Sequence, residues 1–330
     1  MSLSDGIDLM ILRFDIRCSA VLLISSAVLL SCTPPPPSPA QSSAQIPFSA
    51  ANGSNALARV AALCALGPRD AGTPGGERAA AWLVSELRRE RLVSRIDCFS
   101  NDTPSGPLAL CNVVASVPAA QSDSNSNWIV LLSHFDTKSG ISPNFIGAND
   151  GGSSTGLLLE LARILHGTPL RHCHVLFGFL DGEECRVQFG PRDGLHGSRR
   201  LATQLAAEKR DIRAVILLDM IGDRNLSVTL PANGTPRLTL LTLEAAKTVG
   251  VRSKFRLADG GILDDHQPFL DAGFPAVDLI DFQFGSAPGL NDYWHTPADT
   301  LDKLSDASLT AVGQVVAEML RQLDTPRGSP

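Results

Sequence analysis

The chain has 330 residues, of which 44% are hydrophobic and 19% are charged, and its formal net charge is -6. This composition is typical of a globular protein with enough residues for one large or two small domains. The acidic balance and the lack of a basic block argue against nucleic acid as a partner.

The N-terminal segment has the layout of an export signal rather than of a folded element. Arg13 and Arg17 precede an apolar run over residues 20–30, which is too short for a comfortable membrane span. The run ends in Leu29-Leu30-Ser31-Cys32, which resembles a bacterial lipobox. We therefore predict an export signal over residues 1–31, lipidation of Cys32, and a location in the bacterial periplasm or cell envelope. A plain signal peptide and a retained signal anchor are the alternatives.

A Pro- and Ser-rich segment follows Cys32, and residues 32–45 are predicted to form an extended tether. It suits a domain that is held off a membrane surface by a lipid anchor. Because no linker interrupts residues 46–326, we predict one domain there, followed by a tail over residues 327–330.

Two cysteines flank a strong turn signal at Thr103-Pro104-Ser105-Gly106. Cys98 and Cys111 are placed symmetrically about this turn, so they are predicted to face each other across a hairpin. A disulfide between them is compatible with an exported chain. No Cys-x-x-Cys pair occurs, so a cysteine-based zinc site is unsupported.

Apolar runs and helical periodicity alternate along the rest of the chain. The alternation predicts a mixed α/β sheet that is largely parallel in its centre, with the hairpin at one edge. Residues 185–197 form an irregular insertion, and residues 238–249 show a mixed pattern. Helical patterns lie within residues 46–95 and over 155–165, 198–209 and 309–323, and buried strands are predicted at 128–133, 174–180, 214–219 and 275–281.

Acids or histidines stand at the ends of several apolar runs. Because the carboxyl ends of parallel strands meet at one edge of a sheet, such residues can converge there. Each one taken singly is compatible with a solvated turn. The candidates are His134, Asp136, Asp150, Glu183, Glu184, Asp219, Asp264, Asp265, His266 and His295.

A site with several carboxylates, imidazoles and no thiolate suits zinc or another borderline divalent metal. Hydrolysis or acyl transfer is the expected chemistry of such a site. The sequence contains no Gly-x-Ser-x-Gly elbow and no phosphate-binding loop.

From about Gly67 to Ser305 the sequence resembles the zinc aminopeptidase superfamily and, within it, the glutaminyl cyclases. The resemblance implies a single three-layer domain with a twisted, centrally parallel mixed sheet and helices on both faces. The matching stretches are His134-Phe135-Asp136-Thr137-Lys138, Ile146-Gly147-Ala148-Asn149-Asp150, Leu180-Asp181-Gly182-Glu183-Glu184, Leu217-Leu218-Asp219-Met220-Ile221-Gly222, Asp264-Asp265-His266-Gln267-Pro268-Phe269-Leu270 and Trp294-His295-Thr296.

The resemblance implies a zinc ion held by Asp150, Glu184 and His295. Glu183 would shuttle a proton as the α-amine of an N-terminal glutamine attacks its own side-chain amide, which yields pyroglutamate and ammonia. Asp264 and Asp219 would assist by hydrogen bonding. The residues implied to wall the substrate pocket are Trp294, Phe189, Ile262 and Phe284, with Phe189 standing where the cyclases often place a Trp.

An exported aminopeptidase with two zinc ions is the first alternative, since His134 and Asp219 match the ligands of a second metal there. Asp136 is assigned either to that second metal or to a structural role. The insertion after Glu184, the pair Asp264-Asp265 and the Trp before His295 favour the cyclase and a single zinc. A non-catalytic binding module is the third alternative. Peptide or protein N-termini are the implied partners, and we expect a monomer.

Overall fold

The computed structural model describes residues 51–121 and 126–326. The predicted signal, Cys32, the tether and the tail lie outside the described residues. None of the described helices is long and apolar enough to cross a membrane.

One eight-stranded sheet organises the described chain, in the spatial order β1-β2-β4-β3-β5-β8-β6-β7. The strands are β1 (Ser94–Thr103), β2 (Gly106–Val117), β3 (Trp128–His134), β4 (His174–Leu180), β5 (Ile212–Asp219), β6 (Val228–Leu230), β7 (Phe255–Leu257) and β8 (Ala276–Ile280). The helices are α1 (Gly53–Cys64), α2 (Pro74–Arg89), α3 (Gly152–Gly167), α4 (His196–Ala207), α5 (Pro236–Val249), α6 (Gln267–Asp271) and α7 (Asp306–Leu323).

The centre of the sheet is parallel, as the alternation of elements predicts. Strands β4, β3, β5 and β8 run parallel to one another, and the β1–β2 hairpin joins β4 antiparallel at one edge. Cys98 lies opposite Cys111 in the hairpin and is bonded to it, which confirms the predicted pairing.

Helices cover both faces, so the domain has three layers. On β3 the alternate residues Ile129 and Leu131 pack into a core with α1, α2, α3, α5 and α7. Their neighbours Val130 and Leu132 pack on the opposite face with α4 and α6. The continuous apolar runs of the central strands follow from this burial on two faces.

In the second half of the chain the structure contains a helix and two short strands that the sequence pattern did not predict. The mixed pattern over 238–249 belongs to helix α5, which has a Pro in its first turn and ends at Gly250 in the left-handed conformation. The buried face of α5 consists of Leu238, Thr242, Ala245 and Ala246. Most of these side chains are small, so the helical repeat of apolar residues is weak in the sequence. Strands β6 and β7 were not predicted because three residues are too few to show a period.

Candidate active site

The carboxyl ends of the central strands place the predicted side chains at one edge of the sheet. His134 ends β3, Asp219 ends β5, and the turn containing Glu183 and Glu184 follows β4. Asp150 reaches the same edge from the loop that begins α3. The convergence expected from parallel strands is therefore present.

The start of α3 is fixed by a glycine and by a distant carboxylate. Gly151 caps the helix with a φ of +74°, and a Cβ there would lie 2.8 Å from the Asp136 carbonyl oxygen. The Asp299 carboxylate accepts hydrogen bonds from the backbone N–H groups of Asn149 and Asp150, at 2.7 and 3.1 Å. Asp150 is thereby held in one orientation.

The turn after β4 is held by Asp136. Its two carboxylate oxygens accept from the backbone N–H groups of Glu183 and Glu184, at 3.1 and 3.2 Å. Gly182 precedes the turn with a φ of +74°, which suits glycine. Of the two roles expected for Asp136, the contacts favour the structural one.

Asp150, Glu184 and His295 form the first of two triads, which we call the open triad. His295 Nε2 lies 3.0 Å from Glu184 Oε1 and 3.3 Å from Asp150 Oδ2. One ligand atom from each residue lies within 4.8 Å of the others, a spacing suited to one metal ion. The relative solvent exposure of the His295 side chain is 19%, so this triad is accessible to solvent.

The second, or closed, triad shares Asp150 and adds His134 and Asp219. His134 Nε2 lies 3.2 Å from both Asp150 Oδ1 and Asp219 Oδ1, and its Nδ1 lies 3.5 Å from Asp136. Only 1% of the His134 side chain is exposed. The imidazole is therefore surrounded by carboxylates.

A cavity of about 310 Å³ opens beside the open triad. Its acidic wall contains Glu183, Asp219 and Asp264 together with Asp150 and Glu184, whereas His134 does not line it. Its apolar wall contains Phe189, Ile262, Leu263, Ile280, Phe282 and Trp294. The Trp294 ring stacks on His295 with centroids 4.0 Å apart.

Phe284 is not part of this wall. It is fully buried, and its ring packs edge-on against Tyr293. Phe282, two residues earlier, lines the cavity instead and contacts Trp294 with ring centroids 5.0 Å apart. The loop after β8 therefore turns a different Phe towards the site from the one that the resemblance implied.

Burial and mutual repulsion dominate the electrostatics of the cavity. Burial, reinforced by Glu184, raises the pKa of Glu183 well above its usual range. Burial and neighbouring Asp150 likewise raise the pKa of Glu184 to about 7. Burial and Asp219 raise the pKa of Asp264 well above the ordinary value. Such a cluster requires a cation or bound protons.

The histidines of the two triads respond to the same acids. Burial disfavours a charge on His134, but Asp219, Asp136 and Asp150 outweigh it and raise the pKa well above the usual range. Burial also disfavours a charge on His295, but hydrogen bonds to Asp150 and Glu184 outweigh it and raise the pKa of His295 to about 9. Both imidazoles thus compensate carboxylate charge.

A third group of potential ligands, Asp264, His266 and Asp278, lies deeper. His266 Nδ1 is 3.8 Å from Asp278 Oδ2, and both side chains are fully buried. Burial lowers the pKa of His266 to about 4 and raises that of Asp278 well above its usual range. The His266 imidazole is therefore neutral near pH 7.

Three supporting residues were not predicted from the sequence. Arg69 is fully buried and donates hydrogen bonds to the carbonyl oxygens of Phe135, Ile146 and Gly147. Asp299 holds the loop before α3, as described above. Lys138 lies within the quoted stretch His134–Lys138, and that was the only available signal. Its Nζ is 3.4 Å from Glu184 Oε2 and donates to the Cys185 carbonyl oxygen at 2.5 Å.

Comparison with known proteins places this site in a family. The model of peptidase family M28 matches residues 112–320. The chain is 30% identical over 288 residues to a glutaminyl-peptide cyclotransferase-like protein from Bos taurus, covering 77% of this chain and 72% of that protein. The chain therefore belongs to peptidase family M28, with the α/β fold of the zinc aminopeptidases.

Solved structures narrow the assignment. A glutaminyl cyclase from an Acidobacteriales bacterium superposes with a TM-score of 0.77 and 34% identity, covering 83% of this chain and 95% of that one. A zinc-dependent exopeptidase from Parabacteroides distasonis superposes with a TM-score of 0.72 and 26% identity, covering 82% and 98%. Within the family, this chain belongs to the glutaminyl cyclase branch.

Proposed function

We propose that the protein is a zinc-dependent glutaminyl-peptide cyclotransferase, which converts the N-terminal glutamine of peptides or proteins to pyroglutamate and releases ammonia. One observation carries the proposal beyond family membership. The open triad and Glu183 face one small cavity with an apolar wall, while His134 is closed off from it. The cyclase relatives support the same activity.

The open triad fits a zinc ion. It offers two carboxylates and one imidazole, a donor set typical of catalytic zinc sites that keep a position free for substrate. Asp150 Oδ2 is buried, and the nitrogen that faces it, His295 Nε2 at 3.3 Å, belongs to the same triad, so one metal ion would bind both atoms. Zinc bound there would act as a Lewis acid on the side-chain amide carbonyl of the substrate glutamine.

Glu183 is proposed as the proton shuttle. It adjoins Glu184 in the chain and lines the cavity, so its carboxylate can reach a substrate bound beside the triad. It would take a proton from the α-amine as the nitrogen attacks the amide carbon, and then deliver a proton to the departing ammonia. A raised pKa suits a group that must both accept and donate a proton near neutral pH.

Asp264 and Asp219 are proposed to support the amide nitrogen. Both line the cavity. Burial and Asp219 raise the pKa of Asp264, which favours its protonated form, the form that can donate a hydrogen bond. Asp219 can accept one from the substrate N–H groups while His134 balances its charge.

The apolar wall is proposed to select a folded glutamine side chain. Trp294 is fixed by stacking on His295, and Phe189 and Ile262 lie on the same cavity. The confined space brings the α-amine and the side-chain amide of one residue together, which lowers the entropic cost of ring closure. It also limits access of water to the amide.

The aminopeptidase alternative rests on His134 and Asp219, which match second-metal ligands. It is less well supported, because the His134 side chain is 1% exposed and does not line the cavity. A non-catalytic binding module would have no need for Glu183 beside a complete ligand set. We propose one zinc per chain and a monomeric enzyme.

We also propose that the protein is exported and anchored by a lipid on Cys32. The basic and apolar N-terminal segment and the lipobox-like Leu29-Leu30-Ser31-Cys32 support this proposal. An enzyme placed in the cell envelope by the tether over residues 32–45 would meet exported peptide N-termini.

The decisive experiment assays ammonia release from a Gln-leading peptide and hydrolysis of leucine amide on the same metal-analysed sample. We expect ammonia release with about one zinc per chain. Glu183→Gln should lower turnover by about 10²- to 10⁴-fold, the usual contribution of a general acid–base, with zinc retained. Leucine amide hydrolysis with two zinc ions per chain would establish the aminopeptidase instead.

A further inference from the structure

A second groove, of about 450 Å³, adjoins the catalytic cavity. Leu263 lines both spaces, so they are neighbours at this side chain. Leu263 is 49% exposed, so its side chain is accessible to a ligand in either space. The other groove residues come from the insertion, from α4 and from the region of α6.

The ridge that carries Leu263 is held in place. The Asn233 side chain accepts a hydrogen bond from the backbone N–H of Ile262 at 3.1 Å and donates to its carbonyl oxygen at 2.9 Å. Asn233 also contacts His266 and Gln267, at 3.0 and 2.8 Å. The ridge is thus preorganised for contact with a ligand.

The insertion, which supplies Pro191 and Leu195 to the groove, is fixed as well. The Asp193 carboxylate accepts from the backbone N–H groups of Arg186, Val187 and Gln188, between 2.7 and 3.0 Å. Arg199 donates to the carbonyl oxygen of Pro191 at 2.6 Å, which ties the insertion to α4. Binding in the groove therefore requires little further ordering of the protein.

The lining combines small apolar side chains with one cation and one anion. Ala202, Pro268 and Ala272 leave room for a backbone. Arg199 and Asp271 lie along the same groove. A guanidinium has five donors, and the bond to Pro191 uses one of them. Such a lining suits a polypeptide segment with a carboxylate side chain better than a hydrocarbon.

We propose that this groove is a subsite for the second to fourth residues of the peptide substrate, with Arg199 favouring an acidic side chain among them. The inference rests on the proposed function. An extended chain advances by roughly 3.3–3.6 Å per residue. Because the two spaces share Leu263, the residues directly after the N-terminal glutamine are the ones placed to cross that side chain and enter the groove. The subsite makes the enzyme selective for peptides over glutamine derivatives that lack this extension.

The test compares glutamine naphthylamide with Gln-Ala-Ala-Ala-amide by ammonia release. Thr203 is exposed on the groove side of α4, and its hydroxyl bonds to the Arg199 carbonyl oxygen. Thr203→Trp should fill the groove and lower the tetrapeptide-to-naphthylamide ratio of kcat/KM by about tenfold, a typical effect of losing one subsite contact. Thr248→Trp is the matched control, because Thr248 is exposed on α5 with the same bond to its fourth preceding residue.

A second arm compares Gln-Ala-Glu-Ala-amide with Gln-Ala-Lys-Ala-amide. The wild type should favour the glutamate peptide by about 2- to 5-fold, the scale of an exposed ion pair, and Arg199→Glu should reverse the preference. Arg88→Glu makes the same charge change on α2 and should leave the preference intact.

The outcomes separate the two proposals. Ammonia release from every substrate with ratios insensitive to Thr203→Trp and Arg199→Glu would overturn the subsite alone. No ammonia from any glutamine substrate would overturn the proposed function. If the tetrapeptide-to-naphthylamide ratio of kcat/KM varies with enzyme concentration, the groove binds a second copy of the chain. That result would overturn the subsite.

Discussion

The two triads share Asp150 but differ in what surrounds them. In the closed triad, His134 bridges Asp150 and Asp219 at 3.2 Å each and is 1% exposed. In the open triad, His295 contacts Asp150 and Glu184 at similar distances but is 19% exposed and faces the cavity. Similar donor sets therefore have different access to a substrate.

The difference shows why ligand identity alone does not give the metal count. The carboxylates of the closed triad are compensated by an imidazole whose pKa they raise. Asp136 also raises the pKa of His134, and it holds the turn of Glu183 and Glu184. All three residues of the open triad line the cavity, so this triad can receive a metal and a substrate together, whereas the histidine of the closed triad does not reach the cavity.

The comparison is tested most strongly by removing one histidine from each triad. His295→Gln should weaken zinc binding by more than about a hundredfold, because even the loss of an outer partner costs about 10- to 100-fold. His134→Asn should retain about one zinc per chain. Competition with a chromophoric chelator measures both affinities. Two zinc ions in the wild type and one in His134→Asn would refute the distinction between the triads.

Lys138 sharpens the comparison, because among the described residues only the open triad contacts a lysine. Its Nζ lies 3.4 Å from Glu184 Oε2, and a hydrogen bond to Cys185 fixes it there. Lys138→Met should lower zinc affinity by about tenfold, the lower range for outer-sphere partners, and Lys138→Arg should restore part of it. The exposed Lys247→Met is the control. An unaltered affinity in Lys138→Met would show that the lysine does not position Glu184.

The smallest predicted effect concerns the stability of the protein and comes from the buried group Asp264, His266 and Asp278. His266 has a folded-state pKa of about 4, against 6.5 for an unhindered histidine. Between these values the unfolded chain binds a proton that the folded chain excludes, so this histidine makes stability fall as pH drops from about 6.5 to 4. Above pH 6.5 both states are neutral and the contribution is constant.

This effect is isolated by comparing the wild type with His266→Gln. The difference in their unfolding free energies should change by about 1–2 kcal/mol between pH 6.5 and 5.0, given about 1.36 kcal/mol per pK unit. Chemical denaturation at both pH values measures it. A difference that stays constant with pH would mean that His266 is charged when folded, as expected if it balanced an ionised Asp278.

Much of the fold was predictable because burial leaves a local mark on the sequence. The central strands are continuous apolar runs, and the acids that follow them mark the carboxyl edge of the sheet. Helix α5 was obscured because its buried face consists mainly of small residues. Strands β6 and β7 are too short to carry a period.

The site was predictable in its residue types but not in its supports. Asp299 bonds to Asp150 across 149 positions, and Arg69 bonds to Gly147 across 78. No periodicity links such pairs, since they meet only when distant loops pack at the same edge. The exchange of Phe284 for Phe282 has a similar origin, because the path of an irregular loop decides which side chain points inward.

The sequence by itself determined the α/β class, the hairpin disulfide, and the group of acids and histidines that converge at one sheet edge. These follow from hydrophobic period, turn chemistry and the geometry of parallel strands. Only the tertiary structure decided that His134 is enclosed by carboxylates while His295 faces the cavity, and that Leu263 joins the cavity to a second groove. Accessibility is a property of packing in three dimensions, so it leaves no signature at any one residue.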